Sequence, residues 1–290
     1  MNQTTFDKII LDNLIAKHGA DSFGYRNAEG RVYDAYYTNA MFDTFIDTMQ
    51  IQYPSHYEKF DKGKGSELKP RRNGIIPPKM ASVASSSRFC YLALRDGAPH
   101  IGVDSVEFEH ECRIAQKRGT HPQMDACSLS NQVYVEAKCH EIFAASKETS
   151  LGKDYIEYIY GTKDGIGFDL PTEEKPTDRF EIPLKQFGLM RFPMYFDLKQ
   201  FLCHLWGVAS QERDRDKTLL YLFFRPKTED DKLRTELEAV FDGLRAEIEA
   251  VFRSRAVMDF CRANRIALRA VCQYSEVMES LTPSNTQVLY

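Results

Sequence analysis

Apolar residues recur at helical spacing in two segments near the amino terminus. Residues 5–19 and 39–51 each place apolar side chains three and four positions apart, which predicts two helices. From Tyr53 to Lys79 the chain becomes polar and rich in Lys, Arg, Gly and Pro, a composition typical of an exposed connection. We therefore expect the main packed core to begin near residue 80.

Beyond residue 80, helical patterns and strand patterns follow one another in a regular order. The predicted elements are a helix at 80–94, strands at 106–114, 124–129 and 132–139, a helix at 197–208, a strand at 218–224, a helix at 233–253 continued by 255–264, and a strand at 266–273. This order, α-β-β-β-α-β-α-β, predicts a mixed α/β sheet flanked by helices. Residues 1–79 then form an N-terminal helical extension with a basic connection, and residues 80–290 form the main domain.

Composition narrows the class of protein only modestly. With 43% apolar residues in 290, the chain can bury a substantial core. A net charge of −4 argues against coating nucleic acid by bulk charge but allows a local basic patch. Seven scattered cysteines without zinc-ligand spacing indicate reduced thiols, and neither a signal peptide nor a membrane span is recognisable. We expect a cytoplasmic protein without membrane contact.

The strongest chemical pattern lies on the second and third predicted core strands. Asp125 follows His121-Pro-Gln-Met, and eleven residues later Glu136 and Lys138 share one face of an otherwise apolar strand. If these strands are hairpin neighbours, the two carboxylates can approach each other and bind Mg²⁺ with water and phosphate. The structural alternative is a buried Glu–Lys neighbour pair, or two charges at a sheet edge, with Asp125 in a turn.

This pattern resembles the PD-(D/E)xK nuclease superfamily. The resemblance covers roughly residues 80–275 and is carried by FEHECRI, PQMDA, VEAKCHEIF and DLKQFLCHLWG, which look like a bacterial group of restriction endonucleases. It implies a restriction-endonuclease-like mixed central sheet with core order α-β-β-β-α-β. It also implies that Asp125 and Glu136 bind Mg²⁺ or Mn²⁺ and that Lys138 is the catalytic lysine.

The chain departs from the family pattern on the first core helix, where many members carry an acidic residue and this one has none. Glu109, on the preceding strand, is our first substitute as a third metal ligand, and the alternative is an ordinary solvent-facing residue. Gln200 and His204 share one helix face, so each either points at the site or serves as a capping or core residue. His140 shares the face of Glu136 if the strand persists, which makes it a supporting residue.

Basic residues are concentrated between positions 62 and 79. They are Lys62, Lys64, Lys69, Arg71, Arg72 and Lys79. We expect Lys69, Arg71 and Arg72 to bind nucleic-acid phosphates, although basic surface loops are common in proteins without that function. The expected substrate is DNA, and a cut through both strands needs two sites, which suggests a homodimer.

Three functions compete on the sequence alone. The first is a Mg²⁺-dependent endonuclease acting on DNA, of the restriction or defence kind. The second is a nuclease-fold protein that binds nucleic acid or a partner without cleavage. The third, an α/β enzyme for small phosphorylated substrates, lacks support because neither a P-loop nor a G-x-G-x-x-G motif is present.

Overall fold

A six-stranded mixed sheet forms the centre of the computed structural model. The model describes residues 1–26, 35–63, 67–70, 76–114, 121–147, 149–162 and 165–290. The sheet strands are β3 (Glu107–Glu111), β4 (Gln123–Ser128), β5 (Val133–Lys138), β8 (Lys217–Pro226), β9 (Ile266–Ser275) and β10 (Thr286–Val288). Short strands outside it are β1 (Phe23–Tyr25), β2 (Ala35–Tyr37), β6 (Ser150–Leu151) and β7 (Phe180–Glu181).

The sheet order is β10-β9-β8-β5-β4-β3. Strands β3, β4 and β5 form an antiparallel meander, whereas β5, β8 and β9 run parallel. Strand β10 closes the far edge antiparallel to β9. The predicted mixed α/β architecture with flanking helices is therefore confirmed.

Helices cover both faces of this sheet. They are α1 (Gln3–His18), α2 (Asn39–Gln52), α3 (Pro54–Lys62), α4 (Ser86–Leu94), α5 (Ile156–Tyr160), α6 (Leu198–Ala209), α7 (Asp231–Phe252) and α8 (Arg255–Ala263). Phe224 of β8 packs against Phe89 of α4, while Tyr221 of the same strand contacts His204 of α6. Because residues three apart on a strand face opposite ways, α4 and α6 lie on opposite faces.

The predicted strands and the helices after residue 197 agree with the structure within a few residues. The helix predicted from Met80, however, begins only at Ser86. The guanidinium of Arg88 explains the difference, because it donates hydrogen bonds to the carbonyls of Met80, Ser82 and Val83 and holds that segment outside the helix. The Ser85 hydroxyl then caps the first turn by accepting from the Arg88 amide at 3.1 Å.

The polar segment after Tyr53 was predicted as an exposed connection, and this was wrong for its first part. Pro54 starts helix α3, where its fixed φ and missing N–H are well tolerated. Phe60 is buried on this helix, and its ring centroid lies 5.1 Å from that of Phe108 on β3. Helix α3 therefore packs against β3, the strand at one edge of the sheet.

The amino-terminal helix α1 also joins the same hydrophobic core. Phe6, Ile10 and Leu14 are buried and belong to one cluster with the sheet residues. Along the described part of the chain, no helix is long and apolar enough to cross a membrane. None of the seven cysteines, all of which are described, forms a disulfide.

Candidate functional site

The hairpin of β4 and β5 sets Asp125 beside Glu136. Its register pairs Ala126 with Val135 and Cys127 with Tyr134, so Asp125 falls opposite Glu136 on the next step. Opposing residues of an antiparallel pair project from the same face. The Asp125 carboxylate also accepts a 2.8 Å hydrogen bond from the amide of Ala137. The two carboxylates therefore share the face that α6 covers.

Glu136 is the hub of a buried polar cluster, with only 4% of its surface exposed. Its Oε1 accepts hydrogen bonds from Nζ of Lys138 at 2.5 Å and from Nε2 of Gln200 at 2.9 Å. Its Oε2 lies 3.7 Å from Nε2 of His204, whose Nδ1 is 3.1 Å from the hydroxyl of Tyr221. The cluster thus links β5, α6 and β8.

Helix α6 brings Gln200 and His204 to Glu136 because residues four apart lie on one helix face. The Asp197 side chain accepts from the Gln200 amide at 2.8 Å and fixes the helix start, as the capping pattern predicts. Burial, and then the charge of Lys138, lower the pKa of His204 to about 3. His204 is therefore a neutral hydrogen-bonding residue at physiological pH.

Burial makes the negative charge of this site costly. It raises the pKa of Asp125 well above its usual range, and the nearby Glu136 adds to this rise. Burial also raises the pKa of Glu136, although Lys138 partly offsets the effect. Burial opposes the charge on Lys138 as well, but Glu136, Glu141 and Asp125 together raise its pKa. One ammonium thus faces several carboxylates, and a cation would relieve their repulsion.

Glu109 lies on β3, the strand that pairs with β4 on the side away from β5. The pairing of Phe108 with Ala126 and of His110 with Met124 places Glu109 and Asp125 opposite each other. The φ of Glu109 is 53°, a left-handed conformation that is strained for a residue other than glycine. Burial, followed by the charges of Glu67 and Asp125, raises its pKa to about 8. Glu109 thus shares the electrostatic field of the predicted metal ligands.

Sequence reasoning missed Glu67, which is 3% exposed and influences Glu109. Its Oε1 pairs with Nζ of Lys79 at 2.9 Å. Its Oε2 is buried and has no hydrogen-bond partner among the described residues. No local signal could reveal this burial, because Glu67 lies in a polar, lysine-rich segment.

The structure does not bring His140 to the carboxylates. Strand β5 ends at Lys138, so the alternation that would align His140 with Glu136 is lost. The Nδ1 of His140 instead lies 2.9 Å from Oδ1 of Asp7, which is fully buried on α1. Its neighbour Glu141 remains at the site, where burial opposes its charge but His140 and Lys138 lower its pKa.

A narrow cavity of about 30 Å³ opens beside Lys138 and Gln200, and Glu141, Tyr195 and Asp197 also line it. This volume holds about two water molecules, or an ion with only part of its hydration shell, since one water needs roughly 10–15 Å³ on this measure. A larger open cavity of about 500 Å³ lies between α3 and β3, with Glu109 in its wall. The narrow cavity therefore has room only for water or a small ion, whereas the cavity beside Glu109 is open and much larger.

The predicted basic segment is only partly described. Arg71 and Arg72 lie outside the described residues. Lys69 is described, and its Nζ is 3.0 Å from Oδ1 of Asp61 at the end of α3. Lys79 pairs with Glu67, so carboxylates already neutralise part of the basic charge of this segment.

A divalent cation fits the donor set of the site. Within the described ranges, no three or more His, Cys, Asp or Glu side chains converge to hold a metal ion. Mg²⁺, however, is commonly bound through one or two carboxylates together with waters and substrate phosphates. Glu136, which is buried, and Asp125, which is half-buried, supply two carboxylates of this kind.

Comparison of the chain with protein-family models, with curated proteins and with solved structures gave no match. Its function is therefore inferred from the geometry of the site.

Proposed function

We propose that the protein is a metal-dependent phosphodiesterase that cleaves DNA, with Asp125, Glu136 and Lys138 at its centre and Mg²⁺ or Mn²⁺ as cofactor. The observation that carries this proposal is the alignment of Asp125 opposite Glu136, with the Lys138 ammonium bonded to the same carboxylate. Glu136 is buried on this sheet face and Asp125 and Lys138 are partly buried on it, and a chain has little structural reason to place three ionisable groups where each loses hydration. A catalytic centre requires such groups.

The arrangement of elements supports a restriction-endonuclease-like fold. Helix α4 precedes the meander of β3, β4 and β5, and α6 leads to β8, which pairs parallel with β5. This is the order α-β-β-β-α-β expected from the resemblance. Asp125 lies on the second strand of that order, and Glu136 and Lys138 lie on the third.

Each side chain has a separate role in this proposal. Asp125 and Glu136 would hold the cation, which when bound polarises the phosphate and acidifies a water molecule. The Lys138 ammonium stabilises negative charge that develops on the reacting oxygens. Gln200 orients the Glu136 carboxylate by donating a hydrogen bond from its side-chain amide to Oε1. The neutral ring of His204 lies beside Oε2, the other oxygen of that carboxylate, and helps to position it.

A second candidate is a nuclease-fold protein that binds nucleic acid without cleaving it. The observation in its favour is that Lys138 and Gln200 both bond to Oε1 of Glu136, which satisfies that oxygen internally. In this case the polar cluster around Glu136 only stabilises the packing of α6 against β5. The two functions differ in whether a cation binds and a phosphodiester is hydrolysed.

The decisive test is incubation of the purified protein with single- and double-stranded DNA and RNA, with Mg²⁺, Mn²⁺ or EDTA. We expect cation-dependent cleavage that Glu136→Ala abolishes. Glu238→Ala, which changes an exposed glutamate on α7, is the matched control and should cleave normally. Cation-independent cleavage, or equal cleavage by both variants, would refute the proposal. Binding without cleavage under every condition would favour the second candidate.

A further inference from the structure

The loop at residues 188–196, which leads into α6, exposes apolar side chains beside the candidate site. Met190 is 99% exposed and Met194 is 52% exposed, with the exposed Arg191 between them. Tyr195 and Phe196, which follow directly, line the narrow cavity with Lys138. The exposed methionines thus lie within six residues, along the chain, of side chains that line the cavity.

Helix α7 holds this loop in place. The carboxylate of Glu247 accepts hydrogen bonds from the amides of Met194 and Tyr195, both at 2.7 Å, and of Phe196 at 3.2 Å. Four residues earlier, Gly243 makes room for the ring of Tyr195, because a Cβ there would lie 2.9 Å from a ring carbon. Three backbone amides and one aromatic ring thus dock on a single helix face.

Buried side chains anchor the loop at both ends. Phe187 is buried just before it, Leu189 is buried near its start, and Phe196 is buried where it ends. The side chains of Met190 and Met194 thus remain in water although their backbone is fixed on both sides. Binding through such an ordered loop costs less conformational entropy than binding through one that must first be ordered. Covering the exposed methionines also removes apolar surface from water.

We infer that this loop is the substrate-gripping element of the site, and that Met190 and Met194 insert against the bases of a polynucleotide. The inference rests on the proposed function. Methionine is among the apolar residues that proteins wedge between base steps, where they unstack and kink a duplex. Arg191, placed between the two, contacts a phosphate of the same strand. The favoured substrate is therefore a polynucleotide with deformable base steps, not a mononucleotide or a small diester.

Two substrates separate this inference from the proposed function. Bis(p-nitrophenyl) phosphate is a diester without stacked bases, whereas a DNA duplex offers base steps to the methionines. Met190→Ala/Met194→Ala should hydrolyse the small diester like the wild type but lose about tenfold in kcat/KM on the duplex, a loss comparable to that of one base-stacking side chain. Met258→Ala, which changes a 41% exposed methionine on α8, is the matched control and should keep both activities.

A fluorescent base reports the insertion itself. In a Lys138→Met background, binding of a duplex that contains 2-aminopurine should raise its emission as the base unstacks, and the double methionine variant should bind without that rise. Equal losses on both substrates, or no loss on the duplex, would overturn the inference while small-diester hydrolysis upholds the proposed function. A wild type inactive on both substrates would instead refute the proposed function, and the inference with it.

Discussion

The side-chain amide of Gln200 donates a 2.9 Å hydrogen bond to Oε1 of Glu136, although 64 positions separate the two residues in the chain. This bond stabilises the charged form of a buried carboxylate whose pKa is already raised by burial. Losing it should raise that pKa further. We therefore expect Gln200 to influence the pH at which Glu136 ionises.

We expect Gln200→Leu to shift the acidic limb of the pH–kcat/KM profile to higher pH, because Glu136 must be ionised to bind a cation. At high pH the variant should approach the wild-type rate. Gln52→Leu, at the exposed end of α2, is the control. An unshifted limb with a uniformly lower rate would assign Gln200 a role other than tuning Glu136.

Lys138 provides a second, independent test. Lys138→Met should lower kcat by about a hundredfold or more, the loss typical of removing one group that stabilises transition-state charge. It also removes the ion pair at 2.5 Å from Glu136, so stability at neutral pH should fall. Circular dichroism and single-turnover cleavage measure the two effects separately. Lys232→Met, an exposed lysine on α7, should change neither.

Local periodicity predicts this site well where strand and helix patterns are regular. The two-residue period of β5 placed Glu136 and Lys138 on one face, and the capping pattern at Asp197 fixed the start of α6. A short connection between the strands was enough to predict that Asp125 lies beside Glu136. The strand period, the helix cap and the hairpin could all be predicted because each depends on residues that are close together in the sequence.

What the sequence could not predict depends on partners far along the chain. His140 does not lie at the site because β5 ends two residues earlier. Its ring nitrogen instead forms a hydrogen bond with the buried carboxylate of Asp7, 133 positions away in the chain. Helix α3 was missed because its one buried residue, Phe60, lies among charged side chains. Glu109 adopts a positive φ that no pattern of polar and apolar residues encodes. In each case tertiary contacts override the local preference.

Cation binding should depend on pH in a direction that the carboxylates determine. Because burial raises the pKa values of Asp125 and Glu136, their ionised fraction increases with pH over a range above that of ordinary carboxyl groups. A cation binds only the ionised form, so Mg²⁺ should raise the melting temperature more at pH 8 than at pH 6. Asp125→Asn should lose most of this rise at both pH values. An equal rise in wild type and variant would place the cation elsewhere.

The Asp7–His140 pair should make the docking of α1 sensitive to pH. Burial opposes the charge on His140, but the bond to Asp7 prevails and raises its pKa above the usual 6.5. The folded state thus holds the proton more tightly, so this stabilisation is complete below pH 6.5 and is lost as pH rises through the folded pKa. His140→Gln should lower the free energy of unfolding by about 1–3 kcal/mol at pH 6, and less at pH 9.

Urea denaturation of both single variants and the double variant checks this coupling. Asp7→Asn should remove the same pH dependence as His140→Gln, and the double variant should lose little more than either single one. Additive losses would mean that the two residues act separately.

Glu247 should affect cleavage without touching the reacting groups. Its carboxylate accepts from the amides of Met194, Tyr195 and Phe196. In Glu247→Gln the side-chain amide turns one donor toward those N–H groups, so the loop loses part of its anchor. Unfolding should become easier by about 1–3 kcal/mol, because the part-buried amides of Tyr195 and Phe196 lose a charged acceptor. Tyr195 and Asp197 would then be held less firmly beside Lys138.

We expect Glu247→Gln to raise KM for a DNA duplex more than it lowers kcat for bis(p-nitrophenyl) phosphate, because the loop grips the polymer and the carboxylates do the chemistry. Glu249→Gln is the matched control, since Glu249 lies on the same helix and pairs instead with Arg253 at 3.2 Å. Steady-state kinetics at a temperature where both variants are fully folded separates an effect on substrate binding from an effect on the free energy of unfolding. If the two variants behave alike on both substrates, the contact between α7 and the loop has no part in substrate binding, and Met190 and Met194 are held by the buried flanks of the loop alone.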